Sequence, residues 1–262
     1  MDEVGKWRGY WKTSVGKVMP NKILVRGYPL DKLMGNVGFA EGIYLILRGE
    51  LPTLAQGKVL EAILFGIFEH AFINSAIPAA RYVVSGNPNV VNGVAAGVLS
   101  MGPYTGSPRA AAEFIEQCYA RKIEEGLSYK EAAEKVVDEC LAGKRRIPGF
   151  GHPVHTADPR TVRLREIALE EQVLGEKTKL YEVVHETFVR KTGKNLPINT
   201  DGMMAGLMLD MGFGPLEVEA VAIISFLPGI VAHTIEEIKQ KVPLRVIPDL
   251  IAEYTGVEER QL

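Results

Sequence analysis

One short loop of the chain combines a histidine with glycines, prolines and neighbouring cationic groups. His152 lies within 148–155, where Gly149 and Gly151 permit backbone turns that a Cβ would forbid. A basic run at 144–146 precedes the loop. Because an imidazole next to such a cluster suits a polar, anionic ligand, we predict a chemical site here.

A helix start follows the loop and carries an arginine. Asp158 is predicted to be the N-cap and Pro159 the first helical residue, because these residue types suit those positions. Arg160 then lies in the first turn. The loop and this helix start are the elements that must position the polar groups.

The remaining elements are predicted to be mostly helical. Strand alternation is convincing only around 22–26, which predicts an all-α protein with, at most, a short N-terminal hairpin. The predicted helices start at Thr53 (running to about Phe72), at Ser128 in a capping box and at Thr200 or Asp201 (closed by Gly212), and two more cover 216–226 and 229–240.

Composition bounds the class of protein. The chain has 262 residues, 47% of them hydrophobic, which is enough for one large domain plus a small one. A net charge of -2 gives no basis for nucleic-acid binding. Cys118 and Cys140 fall in helical segments, which favours buried free thiols and a reducing cytoplasm. The N-terminus lacks a signal-peptide pattern, and the apolar run 220–232 is too short for a membrane span, so we predict a cytoplasmic protein with no membrane partner.

Four segments, in the correct order, resemble the conserved motifs of the citrate synthase superfamily. They are 68–71 with Asn74 (a D-H-x-x-x-N type segment), 101–106 (G-P-L-H-G), 149–152 with 158–160 (G-x-G-H followed by D-P-R), and 199–202 (N-V-D). The closing segment 253–256 also resembles the Tyr-x-Gly of that family. Four ordered matches are far more specific than any one of them.

The resemblance implies a citrate synthase-like, all-α fold. A large helical dimerisation domain would comprise 1–105 and 215–262, and a small inserted helical domain, 106–214, would carry the CoA and catalytic loop. The resemblance also implies a homodimer, with the apolar runs 54–68 and 220–232 supplying its buried helices.

The resemblance assigns catalytic roles to His152, Asp201 and His70. Asp201 would exchange a proton with the α-carbon of an acyl-CoA thioester; its helix N-terminus favours the carboxylate, whereas burial opposes it. His152 would hydrogen-bond the oxygen at the carbon that is attacked or released, and His70 the same oxygen or a neighbouring carboxylate. The implied substrate-binding residues are Arg160, as a two-point carboxylate ligand, together with Asn74, Thr105 and Tyr104.

A coenzyme A thioester is the implied substrate, with a carboxylic acid as the other small-molecule partner and no permanently bound cofactor. The residues implied to bind CoA are Lys144, Arg145 and Arg146 at its phosphates, and the loop residues Pro148, Gly149, Phe150 and Gly151. No metal site is predicted, because the histidines lack ligand spacing and the two cysteines are far apart in sequence.

Two departures from the family pattern bear on the reaction. Thr105 stands where citrate synthases carry the histidine that stabilises the thioester enolate. The citrate-cleaving domain of ATP-citrate lyase also lacks that histidine, and short chains with a G-F-G-H-P-x-H loop resemble stand-alone citryl-CoA lyases. Phe226 stands where an arginine usually grips a citrate carboxylate, a loss for which Arg109 or Arg245 could compensate.

These features favour cleavage of citryl-CoA, or an analogous 3-hydroxy-acyl-CoA, to acetyl-CoA and a 2-oxo acid such as oxaloacetate. Two alternatives stay open. One is a citrate synthase-type acyltransferase that condenses acetyl-CoA with a 2-oxo acid. The other is a non-catalytic CoA-binding paralogue, which Thr105 and Phe226 keep in consideration.

Overall fold

The computed structural model describes residue 7 and residues 9–102, 105, 108–152 and 154–261. Tyr104, one of the predicted substrate-binding residues, lies outside the described residues. Eleven α-helices occur within the described part of the chain, so the all-α prediction is confirmed. They are α1 (Leu30–Leu33), α2 (Phe39–Arg48), α3 (Leu54–Gly66), α4 (Ala76–Gly86), α5 (Val90–Leu99), α6 (Arg109–Glu124), α7 (Tyr129–Ala142), α8 (Pro159–Glu170), α9 (Glu176–Thr192), α10 (Thr200–Asp210) and α11 (Pro215–Gln240).

The predicted N-terminal hairpin is part of a small antiparallel sheet. Its three short strands, in spatial order, are β1 (Gly16–Met19), β2 (Lys22–Val25) and β3 (Tyr28–Pro29). Gly16 pairs with Val25 and Met19 with Lys22, so a two-residue turn joins β1 to β2. Asn21, the second residue of this turn, has a positive φ of 59°, which asparagine adopts more readily than most residues.

The predicted starts of α3, α7 and α8 are confirmed. Thr53 and Ser128 each form a capping box with the residue three positions later. Asp158 caps α8 and Pro159 is its first residue. Local side-chain chemistry determines these three boundaries.

The prediction that the α3 helix runs to Phe72 is wrong, because α3 ends at Gly66 and a short 3-10 helix covers Ala71–Ile73. Side chains satisfy carbonyl groups of its last turn. Ser225 Oγ donates to the Leu64 carbonyl at 2.5 Å, and Arg160 Nη1 to the Gly66 carbonyl at 3.4 Å. The helix therefore does not need to continue to satisfy these acceptors.

One continuous helix, α11, covers the two helices predicted at 216–226 and 229–240, and Pro228 lies inside it. A proline within a helix costs about 3 kcal/mol, but Phe226 and Ile230 on either side are both buried. By length and composition alone, α11 is long and apolar enough to cross a membrane. However, 44% of its most apolar 18-residue stretch is buried inside the protein, and buried core helices of soluble proteins can be equally long and apolar.

Two compact units make up the chain. The first contains 1–69 and 106–225, and the second contains 70–105 and 226–262. The boundary at 105/106 coincides with one predicted domain boundary, whereas 1–69 group with 106–225. The division of this chain into a large domain and an inserted small domain, which the family resemblance implies, stays a prediction.

The core of the first unit is built around α10, which packs against α3, α6, α8 and α9. Its side chains are buried on all sides, as expected for a helix that is apolar around its whole circumference. The most buried large side chains of α10 are Met203, Met204, Leu207 and Met208. This rigid helix places its N-terminal residues, and Asp201 among them, in fixed positions.

In the second unit, α4 and α5 pack together, and α5 lies close to the second half of α11. Gly93 and Gly97 make this approach possible: a Cβ on Gly93 would lie 2.5 Å from Thr234 Cγ2, and one on Gly97 2.6 Å from Ile230 Cγ2. Real Cβ atoms do not occupy such positions, so the two glycines set the helix spacing.

Candidate active site

The histidine loop is bonded directly to the segment that precedes α10. The Gly151 amide donates to the Pro197 carbonyl at 2.8 Å, and the Asn199 amide donates to the Gly149 carbonyl at 2.9 Å. The Asn199 side-chain amide also donates to the Gly151 carbonyl at 2.9 Å. The structure therefore brings together two of the motifs that the sequence separates by about fifty residues.

Tyr181 of α9 packs against this junction. Its ring is buried, and its hydroxyl donates to the Pro148 carbonyl at 2.5 Å. Gly149 has a φ of 83°, and a Cβ there would meet Tyr181 Oη and lie 2.7 Å from Gly202 Cα. Only glycine fits at this position, so the close packing fixes the path of the loop.

The His152 ring is held as one neutral tautomer. Its Nδ1 accepts hydrogen bonds from the amides of Val154 at 3.1 Å and His155 at 3.0 Å. An acceptor Nδ1 carries no proton, so the neutral ring has its proton on Nε2. Burial lowers the pKa of His152, and neighbouring His155 lowers it further. His152 thus offers an uncharged Nε2–H donor at neutral pH.

Asp158 is more than a helix cap. Its buried carboxylate accepts from the Arg160 amide at 3.0 Å, from Arg160 Nε at 2.9 Å and Nη2 at 2.6 Å, and from Thr200 Oγ1 at 3.0 Å. Burial alone would raise the pKa of Asp158, but the bonds from Arg160 and Thr200 lower it to about 2. The carboxylate therefore stays charged.

Arg160 was predicted to grip a substrate carboxylate, and the structure places its guanidinium in two-point contact with Asp158. Its Nη1 also points to the Gly66 carbonyl. These bonds fix the side chain beside Asp201, whereas the role of Arg160 as a substrate ligand stays a prediction.

Asp201 lies in the first turn of α10 but is not its cap. Asn199 caps the helix, with its side-chain oxygen accepting from the Gly202 amide at 3.0 Å, and α10 begins at Thr200, one of the two predicted starts. Burial raises the pKa of the Asp201 carboxyl to about 6, against the lowering effect of Arg160 and with a small contribution from Asp158. Desolvation therefore outweighs the attraction of the Arg160 charge.

Three predicted site residues belong to the second unit. His70 precedes the 3-10 helix Ala71–Ile73, and its backbone carbonyl accepts from the Ile73 amide at 3.4 Å. Asn74 Oδ1 accepts from the Ala76 amide at 2.9 Å, while its buried Nδ2 has no hydrogen-bond partner among the described residues. Thr105 is joined to Gly102 by two backbone hydrogen bonds. Their assigned roles stay predictions.

The predicted CoA-binding residues divide into two groups. Arg145, Arg146 and Pro148 line a cavity of about 310 Å³. Phe150 instead packs its ring against Tyr181, His185 and Phe188 at centroid distances of 5.1–5.7 Å, which makes it an anchor of the loop. Lys144 is exposed and has a φ of 49°.

A second cavity, of about 490 Å³, lies next to the residues that follow His152 and includes Asp158 and Pro197 in its wall.

Both cysteines are buried free thiols, as predicted, and both line the smaller cavity. Burial raises the pKa of Cys118 to about 12 and also raises that of Cys140. Neither thiol is therefore an effective nucleophile at neutral pH.

The arginines that could compensate for Phe226 are both engaged by glutamates. Arg109 contacts Glu113 and Glu219, and Arg245 contacts Glu237. Phe226 itself is buried within α11.

Sequence reasoning missed the roles of Asp158 and Tyr181. Asp158 has a complete local explanation as an N-cap, and Tyr181 occupies an ordinary core position of an amphipathic helix. The role of Asp158 depends on its hydrogen bond from Thr200, which belongs to another motif. Only the folded structure brings these two residues together, so the sequence did not reveal it.

The family model described as citrate synthase, C-terminal domain, matches residues 55–247. The structure of citryl-CoA lyase from Hydrogenobacter thermophilus is 38% identical, with a TM-score of 0.88, over 96% of this chain and 97% of that one.

A solved structure with lower sequence identity has the same fold. The ATP citrate lyase from Methanothrix soehngenii, solved with citrate and coenzyme A, matches 99% of this chain and 45% of its own, with a TM-score of 0.80 and 19% identity. Citrate synthase 2 of Bacillus subtilis is 25% identical over 227 residues, which are 86% of this chain and 58% of that protein. The chain thus spans less than two-thirds of that curated relative.

Proposed function

Since the chain belongs to the citrate synthase family, we propose that it cleaves citryl-CoA, or an analogous 3-hydroxy-acyl-CoA, to acetyl-CoA and a 2-oxo acid such as oxaloacetate. The observation that carries the proposal is the hydrogen-bonded junction that joins the loop of His152, with its neutral Nε2–H, to the segment that precedes α10 and Asp201. The end-to-end similarity to a citryl-CoA lyase supports it.

The chemistry needs one proton to leave a hydroxyl group and one to reach a carbon. Asp201 as carboxylate accepts the proton of the substrate hydroxyl while the carbon–carbon bond breaks. The bonding pair passes to the thioester as an enolate, and the hydroxyl carbon becomes a carbonyl. Asp201 then returns the proton to the α-carbon, which gives acetyl-CoA. A carboxyl group with a pKa of about 6 suits both proton transfers, because near pH 7 its charged and its protonated forms are both accessible.

His152 supports this step as a hydrogen-bond donor. Its Nε2–H stabilises the charge that develops on the oxygen as the hydroxyl becomes a carbonyl. The two amides bound at Nδ1 keep the donor on Nε2, so the ring needs no rearrangement during the reaction.

Thr105 favours cleavage over synthesis, because the histidine of citrate synthases is replaced there. Asn74 supports a polar substrate: its buried Nδ2 has no protein partner among the described residues and could donate to a substrate oxygen. Phe226 removes a charged ligand, so we include acyl-CoA substrates with fewer carboxylates.

The CoA phosphates are proposed to contact Lys144, Arg145 and Arg146. Arg145 and Arg146 line the 310 Å³ cavity, and their charges would attract an anion there. Arg145→Ala and Arg146→Ala variants are expected to raise the KM for the thioester with less effect on kcat, since phosphate binding is the same in ground and transition states.

The protein is further proposed to be a cytoplasmic homodimer. Helix α5 supports the dimer because it exposes a row of apolar side chains, with Val91 73% and Leu99 84% exposed in the single chain. Light scattering on the purified protein should give twice the mass of the chain.

The deciding experiment is release of acetyl-CoA and oxaloacetate from synthetic citryl-CoA. Wild type is compared with His152→Ala, His70→Ala and Asp201→Asn, and with Asp31→Asn as a control in an exposed ion pair. Loss of about 10²-fold or more in the three site variants, with full activity in Asp31→Asn, is expected for acid–base and donor groups.

The two alternatives are distinguished by assays with other substrates and by acyl-CoA binding. Release of free CoA from acetyl-CoA plus oxaloacetate, without citryl-CoA cleavage, would identify an acyltransferase. Tight acyl-CoA binding without turnover, unchanged in Asp201→Asn, would identify a non-catalytic CoA-binding protein.

A further inference from the structure

The Asp158 carboxylate links two elements that carry site residues. Its side chain is completely buried, and both of its oxygens accept bonds from Arg160 in the first turn of α8. One oxygen also accepts from the hydroxyl of Thr200, the first residue of α10 and the neighbour of Asp201. A cap for α8 alone would need only one of these bonds, that from the Arg160 amide.

Asp158 also controls the charge near Asp201. Among the described residues, Asp201 interacts with Arg160 and Asp158 at the start of α8 and with Tyr181 on α9. His152, beside His155 in the loop, interacts with the same Asp158 and Arg160. His152 is neutral, Tyr181 is buried with its proton directed at the Pro148 carbonyl, and Arg160 is the cation that acts on Asp201. Asp158 supplies the opposing charge in direct contact with that cation.

We propose that Asp158 is a positioning residue, which fixes the first turn of α10 through Thr200 and neutralises Arg160 beside Asp201. Its part in catalysis rests on the proposed function, but its effect on Asp201 can be measured without any substrate. If Asp158 loses its charge, the cation of Arg160 is uncompensated and stabilises the Asp201 carboxylate.

The test is a carbon-13 NMR titration of protein labelled at the aspartate carboxyl carbons. The chain has seven aspartates, and the Asp201 signal is assigned by its absence in Asp201→Asn. In Asp158→Asn, which keeps the shape of the side chain, we expect the acid dissociation constant of Asp201 to rise by about 10-fold or more, the usual effect of an uncompensated nearby charge.

Two variants of Thr200 separate position from charge. Thr200→Val removes the hydroxyl bond and keeps the charge of Asp158; we expect kcat for the thioester to fall by about 10-fold with KM nearly unchanged. Thr200→Ser restores the bond and is expected to restore kcat. Asp210→Asn is the control, because Asp210 accepts three amide bonds from the start of α9 at the opposite end of α10.

An unchanged titration of Asp201 in folded Asp158→Asn would overturn the proposal, as would an equal response to Asp210→Asn. If Asp158→Asn does not fold, an unchanged kcat in folded Thr200→Val would overturn it instead. If wild type fails to cleave citryl-CoA, the proposed function is wrong. The titration would still decide whether the charge of Asp158 controls the ionisation of Asp201.

Discussion

At the scale of single residues, Asp201 makes a prediction about stability as well as activity. Its pKa rises from an ordinary 3.8 to about 6 in the folded chain. Between these values the unfolded chain has lost the proton and the folded chain retains it, so the free energy of unfolding falls as pH rises through this window. Above about pH 6 the charged side chain destabilises the fold by about 2–3 kcal/mol.

Asp201→Asn is therefore expected to lower activity by about 10²-fold or more and yet raise the free energy of unfolding by about 2 kcal/mol at pH 7.5, with little change at pH 4. Urea unfolding at the two pH values measures the effect, and Asp31→Asn, at an exposed site, serves as the control. Equal effects at both pH values would show that the carboxyl group is not perturbed by burial.

His152 makes a different prediction, because the structure assigns it a neutral Nε2–H donor. The amide nitrogen of glutamine can occupy a similar position, so His152→Gln is expected to lose about 10-fold in kcat where His152→Ala loses about 10²-fold or more. Single-turnover cleavage of citryl-CoA gives the comparison. Equal losses in both variants would mean that the imidazole has to transfer a proton.

At the scale of elements, the junction between the histidine loop and α10 depends on glycines. Gly149→Ala is expected to destabilise the protein by about 2–4 kcal/mol, from a side chain at positive φ and from overlap with Tyr181 and Gly202. Gly126→Ala is the matched control: its φ is 63°, but a Cβ there meets nothing within 4 Å. Thermal unfolding of both variants isolates the cost of close packing, and equal losses would mean that the junction is loose.

The sequence predicted those elements whose boundaries depend on local chemistry. Thr53, Ser128 and Asp158 each begin a helix with their own side chains. The end of α3 was not predictable, because residues far along the chain, Arg160 and Ser225, bind its last carbonyls. The ionisation of Asp201 was equally out of reach, since it depends on how deeply the packed helices bury the carboxyl group.

At the scale of the whole molecule, the two units have separate cores. The first is centred on the apolar helix α10, whereas the second contains a buried ionic cluster. Glu237 is 1% exposed and accepts from Arg81 Nε at 2.5 Å and from Arg245 Nε and Nη2 at 2.5 and 2.9 Å. The bonds from Arg245 and Arg81 keep the pKa of Glu237 below its usual range despite its burial, so its contribution to stability is present above about pH 4.5 and is lost as pH falls.

Removal of one member of such a buried pair leaves the other charge without compensation, which costs about 3–5 kcal/mol. Glu237→Ala is therefore expected to destabilise the second unit by this amount, and Glu236→Ala, which removes an exposed partner of Arg81, by less than about 1 kcal/mol. Hydrogen exchange read by mass spectrometry locates the effect: α4, α5 and the part of α11 after Ser225 should exchange faster, while α6 to α10 stay protected. Faster exchange throughout both units would instead show that they unfold as a single cooperative body, so that any damage to the ionic cluster would also reach the residues around His152 and Asp201.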